Sequence, residues 1–361
     1  MKTFLRSLFA PARTSAPARR AALALQGLDE RAMMSVTTGS IAGGITWQFD
    51  YNATSKVGTF TVNGTTADDR FSLTERRNNA SVGEPGYGDT RPIGIDVPVS
   101  GFSTVGGSPN FKAGSTIVLV VNAGKGNDTV ANNTRFASTL NGGDNNDTLS
   151  VVATNTAANT LNGGEHDDTL SGGSGNDLIV GGNGNDFLGG ANGQDDLWGD
   201  ERVRLNGVYT SAGTGTDILI GSMGNDTLHG GGGDDQLWGD HGQKVWVNGV
   251  QVWQSLDQGG KDTLYGEGGN DTLVGGWEND TLVGGAGNDW LFGGKGQDAL
   301  SGGDDRDYLF GGDDTDTLDG GAMTDHLRTG SYNDPFWGVN EFYSPHGVFG
   351  NDDDNGTIKT G

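Results

Sequence analysis

The chain has 361 residues, 67 of them glycine and none cysteine, with 47 acidic residues against 22 basic ones and a net charge of −25. Disulfides are excluded, a basic nucleic-acid footprint is excluded, and no apolar run approaches the roughly 18 residues of a membrane-spanning helix. Only 33% of the chain is hydrophobic, and glycine far exceeds its usual share of about 7%, so an ordinary globular core is not expected.

The first 35 residues run against the overall charge, with Lys2, Arg6, Arg13, Arg19, Arg20 and Arg31 facing only Asp29 and Glu30. The apolar run Ala21–Leu25 is shorter than the roughly seven residues of a secretory h-region. The stretch Leu25-Gln26-Gly27-Leu28-Asp29-Glu30-Arg31-Ala32-Met33-Met34-Ser35 resembles the bacterial N-terminal L-E-P-R-x-L-L sorting segment of cell-surface and exported proteins. Asp29-Glu30 stands for Glu-Pro and Met33-Met34 for Leu-Leu. The resemblance implies that residues 1–38 are a sorting segment without order of their own; a disordered basic tail is the other reading.

Residues 39–122 read as β. Ile45–Tyr51, Gly58–Asn63, Arg70–Thr74, Gly94–Val99 and Thr116–Asn122 alternate or are β-branched, and Arg76–Pro92 is a polar loop. The last candidate strand runs directly into Ala123-Gly124-Lys125-Gly126-Asn127-Asp128, which makes this region an N-terminal cap continuous with the acidic stretch downstream.

From Ala123 to Arg328 the chain carries 33 acidic and 9 basic residues, and the acids are not scattered. Aspartates recur every nine residues at 168, 177, 186 and 195, at 217, 226 and 235, and at 262, 271, 280, 289, 298, 307, 316 and 325, with Asp128 and Asp147 as outlying members. The unit is plain in Gly172-Gly173-Ser174-Gly175-Asn176-Asp177-Leu178-Ile179-Val180 and again in Gly284-Gly285-Ala286-Gly287-Asn288-Asp289-Trp290-Leu291-Phe292. Two residues after every one of these aspartates stands an aliphatic residue, from Val130 to Leu327. The glycine-rich half suits a tight loop. The other half suits a very short strand whose middle side chain alone points inward. Two units then make one turn of a flattened coil with a loop at each edge.

One inward leucine contributes about 2 kcal/mol, less than the entropy cost of ordering the residues that carry it. Stacking would also place like charges about 4.8 Å apart. A bound cation resolves the conflict. Carboxylates and loop carbonyls are hard oxygen donors suited to Ca²⁺. Zn²⁺ would want cysteine or histidine, and His166, His229, His241, His326 and His346 have no ligand spacing.

The repeat is similar to that of the RTX proteins, the haemolysin-type calcium-binding family, whose unit is written G-G-x-G-x-D-x-U-x. The resemblance spans about 206 residues and some 17 units. It implies an all-β fold, a parallel β-roll (a β-solenoid) over residues 123–328, with calcium held between loops on the same edge one turn apart. The ligands it implies are Asp168, Asp177, Asp186, Asp195, Asp217, Asp226, Asp235, Asp262, Asp271, Asp280, Asp289 and Asp298, extended by Asp307 and Asp316, together with carbonyls from loops such as 172–175 and 284–287. Roughly 9 to 13 Ca²⁺ sites result from pairing loops two units apart. A degenerate solenoid without metal is the alternative. The fourth loop position should be glycine, but it is Asn145, His166, Glu278, Asp305, Asp314 and Met323 in six units. Asn and Asp tolerate the left-handed conformation this position demands better than His, Glu or Met.

The period breaks after Trp198-Gly199-Asp200 and after Trp238-Gly239-Asp240, where 13 and 18 residues are inserted, near 200–212 and 240–258. Asn206-Gly207 and Asn248-Gly249 between alternating apolar residues predict hairpins with type I′ turns. An odd number of units separates them, so they should project from opposite edges. They could form a recognition surface anchored by Trp246 and Trp253, or pack against the roll.

Residues 329–361 hold Tyr332, Phe336, Trp337, Phe342, Tyr343 and Phe349 before the acidic Asp352–Asp354, and read as a C-terminal cap or tail. In RTX proteins the C-terminus can also carry an export signal. No H-E-x-x-H helix, G-x-S-x-G elbow or P-loop is present, and His166 beside Asp167-Asp168 sits in a repeat loop. The expectation is a non-enzymatic, secreted or cell-surface calcium-binding protein, structural or adhesive, whose folding is coupled to Ca²⁺ and whose partner is a cell-surface or matrix component. The alternative is a secreted enzyme or toxin-related protein that uses the roll as a folding and secretion module.

Overall fold

The computed structural model describes residues 37–40, 44–52, 57–74, 95–99, 102–107, 116–205, 208–240, 242–247, 250–255, 259–328 and 357–358. The proposed sorting segment, apart from its last two residues, lies outside these. So do residues 329–361, apart from Thr357–Ile358, a short strand that pairs in parallel with Thr317–Gly321.

Every described element is a β-strand. Two sheets dominate, one of 15 strands and one of 11. The chain passes between them with each half-turn, so strands adjacent in a sheet are one full turn apart and pair in parallel, as Thr160–Glu165 does with Leu178–Asn183 and Thr272–Trp277 with Trp290–Lys295. This is the parallel β-roll implied by the resemblance.

Register makes the core. In one sheet Val62, Val121, Leu140, Leu161, Ile179, Leu197, Leu228, Leu264, Leu282, Leu300 and Leu318 are successive partners. In the other, Phe71, Val130, Leu149, Leu170, Leu188, Leu219, Leu237, Leu273, Leu291, Leu309 and Leu327 are. The two columns face each other as one continuous cluster. In the short strands of the regular repeats this is the one inward apolar side chain, because its neighbours in sequence point outward; the longer N-terminal strands add Phe60, Leu73, Ile117, Leu119 and Ala123. Outward positions use their neighbours too: Trp198, His229 and Tyr265 stack across one sheet, with centroids 3.9 and 4.7 Å apart. Trp290, Tyr308 and His326 stack across the other at 4.3 and 4.4 Å.

The coil begins earlier than the aspartate period indicates. Val57–Asn63 pairs in parallel with Thr116–Lys125, and Arg70–Thr74 with Thr129–Asn133. The expected N-terminal strands thus supply the first turn, preceded by the antiparallel strand Thr46–Asn52.

Both insertions are hairpins. Glu201–Leu205 pairs antiparallel with Val208–Ala212, and Gly242–Val247 with Val250–Ser255. The two-residue links, Asn206-Gly207 and Asn248-Gly249, are outside the described residues, as are the side chains of Trp246 and Trp253. Neither hairpin interrupts the stacking: Asp196–Trp198 pairs onward with Thr227–His229, and Gln236–Trp238 with Thr272–Val274.

Most loops turn through two left-handed positions, the second and the fourth; the loop 172–177 does not, its Gly173 and Gly175 lying outside the left-handed region. Gly182 and Gly184, and Gly285 and Gly287, have φ of 119°, 137°, 120° and 126°. The six residues that replace the fourth glycine, Asn145, His166, Glu278, Asp305, Asp314 and Met323, all adopt φ of 71–83°. A left-handed L-residue costs roughly 1–2 kcal/mol. Glu278→Gly should therefore raise the urea midpoint of the calcium-loaded protein by the equivalent of about 1 kcal/mol. Gly287→Ala should lower it, since its β-carbon would fall within 3.0 Å of the Gly269 carbonyl. Equal midpoints for the two variants would show that these loop conformations carry no strain.

Candidate metal centre

Within a repeat the aspartate is position 6, and the preceding glycines fill positions 1, 2 and 4. The strand geometry places every position-6 side chain at a loop edge, under the next turn. All of the predicted ligands are buried, none more than 2% exposed.

One carboxylate oxygen has the same task throughout. The backbone N–H of each aspartate donates to Oδ1 of the aspartate one turn on. Along one edge this ladder runs Asp69, Asp128, Asp147, Asp168, Asp186, Asp217, Asp235, Asp271, Asp289, Asp307, Asp325, at 2.5–3.1 Å. Along the other it runs Ser138, Asn159, Asp177, Asp195, Asp226, Asp262, Asp280, Asp298, Asp316, at 2.7–3.0 Å. The hairpin-bearing loops end at Asp217 and Asp262, one on each ladder, so the insertions lie on opposite edges. Position 5 makes a second, exposed ladder in the reverse sense: Asn288 N–H donates to Asn270 Oδ1, and Asn185 N–H to Asp167 Oδ1.

The second oxygen is the notable one. Oδ2 of Asp128, Asp147, Asp168, Asp186, Asp195, Asp217, Asp226, Asp235, Asp262, Asp271, Asp280, Asp289, Asp298 and Asp307 is buried and accepts no hydrogen bond. A carbonyl oxygen of the next turn shares its space. A β-carbon on Gly163 would fall within 3.0 Å of both Asp168 Oδ2 and the carbonyl oxygen of Gly181, one turn on. The same holds for Gly181 with Asp186 and Gly199, for Gly275 with Asp280 and Gly293, and for Gly284 with Asp289 and Gly302. The missing side chain of the position-1 glycine is what leaves room for this oxygen-lined cradle. Among the described residues, no group of three or more acidic or histidine side chains converges on one point, so an ion there would draw on carbonyls as well as carboxylates.

Burying a carboxylate that nothing compensates is costly. Burial is the main cause pushing these groups up, opposed by the N–H bond to Oδ1 and reinforced by neighbouring aspartates. Asp280 reaches about 9, Asp168, Asp195, Asp217, Asp226 and Asp271 about 8, and Asp186, Asp235, Asp262, Asp298 and Asp307 about 7. Asp289 reaches about 6. At neutral pH the arrangement demands either protons or a cation, and the donor set is that of a hard divalent ion such as Ca²⁺.

Asp177 differs from the other predicted ligands. Its Oδ2 accepts the Gly173 N–H at 2.7 Å, and its Oδ1 takes the N–H and the side-chain amide of Asn159. Its loop stacks on residues 152–159, which lack the paired glycines of the other loops, so the unit most legible in sequence has both carboxylate oxygens served by protein donors. His166 is exposed and left-handed at its loop tip.

Sequence periodicity missed several positions, Ser138 on the second ladder among them. Asp69 heads one ladder, with its Oδ2 taking the N–H and the hydroxyl of Thr65. Gly64 five residues before it and Phe71 two after it were the available signal. Asn159, two before Leu161, occupies an aspartate place. Asp200 and Asp240, second loop residues beside the hairpins, are buried as well.

The family model of the RTX calcium-binding nonapeptide repeat, built on four copies, matches residues 154–188, 162–197, 211–243, 257–282, 274–309, 283–318 and 292–327. The matched segments are therefore RTX repeats, which bind Ca²⁺ at multiple sites. No curated protein matches the chain.

The sign of the proton linkage is fixed. These aspartates have folded-state pKa values above the roughly 3.9 of an unfolded aspartate, so the metal-free folded roll holds more protons. Its stability is complete below about pH 4 and is lost as pH rises through about 6 to 9. In EGTA, acidification from pH 9 to 5 should increase β-sheet circular dichroism, and millimolar calcium should abolish that dependence. An EGTA signal flat across this range would contradict the burial argument.

Proposed function

We propose that this chain is an extracellular or cell-surface structural or adhesive element, exported in an expanded state and folded by the calcium it meets outside. The observation that carries this reading is the buried, hydrogen-bond-free Oδ2 repeated along both edges of the roll. We assign the ion-binding role to those aspartates, Asp168, Asp186, Asp195, Asp217, Asp226, Asp235, Asp262, Asp271, Asp280, Asp289, Asp298 and Asp307. Asp316 shares their ladder place, whereas Asp177 contributes less because its oxygens have protein donors.

Extracellular modules bind Ca²⁺ at about 10⁻⁴ to 10⁻³ M. Sites of that strength would be largely empty at cytosolic calcium and filled outside, which separates export from folding in space. The basic segment before residue 38, with its likeness to a sorting signal, supports the same route. The N-terminal strands that continue the coil support a role for the roll itself as the working part of the protein.

Calcium titration at neutral pH, followed by circular dichroism, should show a cooperative gain of β signal in the sub-millimolar to millimolar range. EGTA should reverse it, and magnesium should not reproduce it. Bound calcium should count roughly 9 to 13 ions per chain, as loop pairing implies. Full β signal before calcium is added, at neutral pH, would refute the reading.

A further inference from the structure

The two loops that carry hairpins have something no regular loop has. Their second residue is aspartate, Asp200 and Asp240, 0% and 3% exposed. In regular loops the second residue points a backbone carbonyl at the next turn: a β-carbon on Gly182, Gly285 or Gly303 would meet the carbonyl oxygen of Gly164, Glu267 or Gly285. Where the chain departs into a hairpin, a side chain takes that place. A β-carbon on Gly231 would meet Asp200 Oδ2, and one on Gly276 would meet Asp240 Oδ2.

The hydrogen bonding makes the same exchange. In regular loops the third-position N–H donates to the second-position carbonyl one turn back, as Ala322 does to Gly303 at 2.7 Å and Asn192 to Gly173 at 3.2 Å. Gly232 N–H donates instead to Asp200 Oδ2 at 2.7 Å, and Trp277 N–H to Asp240 Oδ2 at 2.7 Å. The carboxylate thus imitates the missing carbonyl and adds a full negative charge. Its other oxygen, Asp200 Oδ1, is buried without a hydrogen bond, on the same edge as Asp217 and Asp235, whose Oδ2 atoms are also without one.

We propose that Asp200 and Asp240 are calcium ligands of a distinct kind, carboxylates standing in for a loop carbonyl. They make the sites between loops 199–217 and 230–235, and between loops 239–262 and 275–280, the tightest of the array. Charge count is what tunes calcium affinity among oxygen-ligand sites, and these two sites each hold one anionic ligand more than their neighbours. The same contact ties the base of each hairpin to an ion. This rests on the general reading that the loops hold calcium, and it adds an order of filling.

The probe is Ca²⁺ itself, titrated calorimetrically and by chelator competition into the full chain, wild type and the double variant Asp200→Asn, Asp240→Asn. Asparagine keeps an oxygen for the Gly232 and Trp277 N–H groups and replaces the other carboxylate oxygen, the one offered to the ion, with an uncharged NH2. Wild type should show two sites that fill first; in the double variant these two should bind about tenfold or more weakly, with the remaining sites and the final β signal unchanged. As a comparison, Asp307→Asn, in the cradle between Gly302 and Gly320, should weaken ordinary sites and leave the first two in place. The proposal is overturned if the double variant keeps the same two tight sites, or if wild type has a single class of site. Absence of calcium binding in wild type would instead defeat the underlying reading.

Discussion

The structure depends on how an aspartate is buried. In most half-turns one carboxylate lies under the next loop, where Oδ1 accepts a backbone N–H and Oδ2 has a carbonyl oxygen beside it and no hydrogen bond. Half of the group is therefore a structural fastener between turns, and the other half is a charge without a protein partner. The first half fixes the stacking of the loops in register. The second makes the folded state conditional, because a dry anion among oxygens is tolerable only when a proton or a cation shares the space.

The rest of the repeat makes room for that arrangement. Position 1 is glycine because a β-carbon would occupy the cradle. Positions 2 and 4 turn left-handed so that carbonyls point along the stack. Leucine at position 8 supplies the only inward side chain that such short strands can offer, and a single leucine column from each sheet makes a core too thin to hold the coil by itself. Hydrophobic burial, hydrogen-bond ladders and ion binding are then parts of one cooperative unit, and a repeat architecture of this kind gains stability from each neighbour it stacks on.

Much of this was legible in the residues because the period is strict. The aspartate column, the leucine two places on and the glycine-rich loops defined the coil, and the six non-glycine residues at the fourth position were located by counting alone. The hairpins were legible from Asn-Gly between alternating apolar residues, and their opposite edges from the parity of the units between them. What escaped were positions where a different residue does the same physical work. Ser138 and Asn159 hold ladder places without being aspartate, so a search for aspartates stopped short of the strands they introduce. Asp69 was hidden because its loop, Gly64 to Asp68, lacks the second and fourth glycines. Asp177 was misleading in the opposite sense: its unit is the plainest in sequence, yet its environment depends on residues 152–159, and no local pattern reports what stacks above or below a loop.

The central claim is that divalent ions neutralise the buried Oδ2 atoms and so hold the turns together. Backbone amide exchange at the ladder N–H groups of Asp168, Asp186, Asp226, Asp271 and Asp289 tests it most directly. At neutral pH these amides should be strongly protected in millimolar calcium and exchange at nearly unfolded rates after exhaustive dialysis against EGTA. Protection that survives the chelator unchanged would mean that the roll stands without the ions, and the account would be wrong.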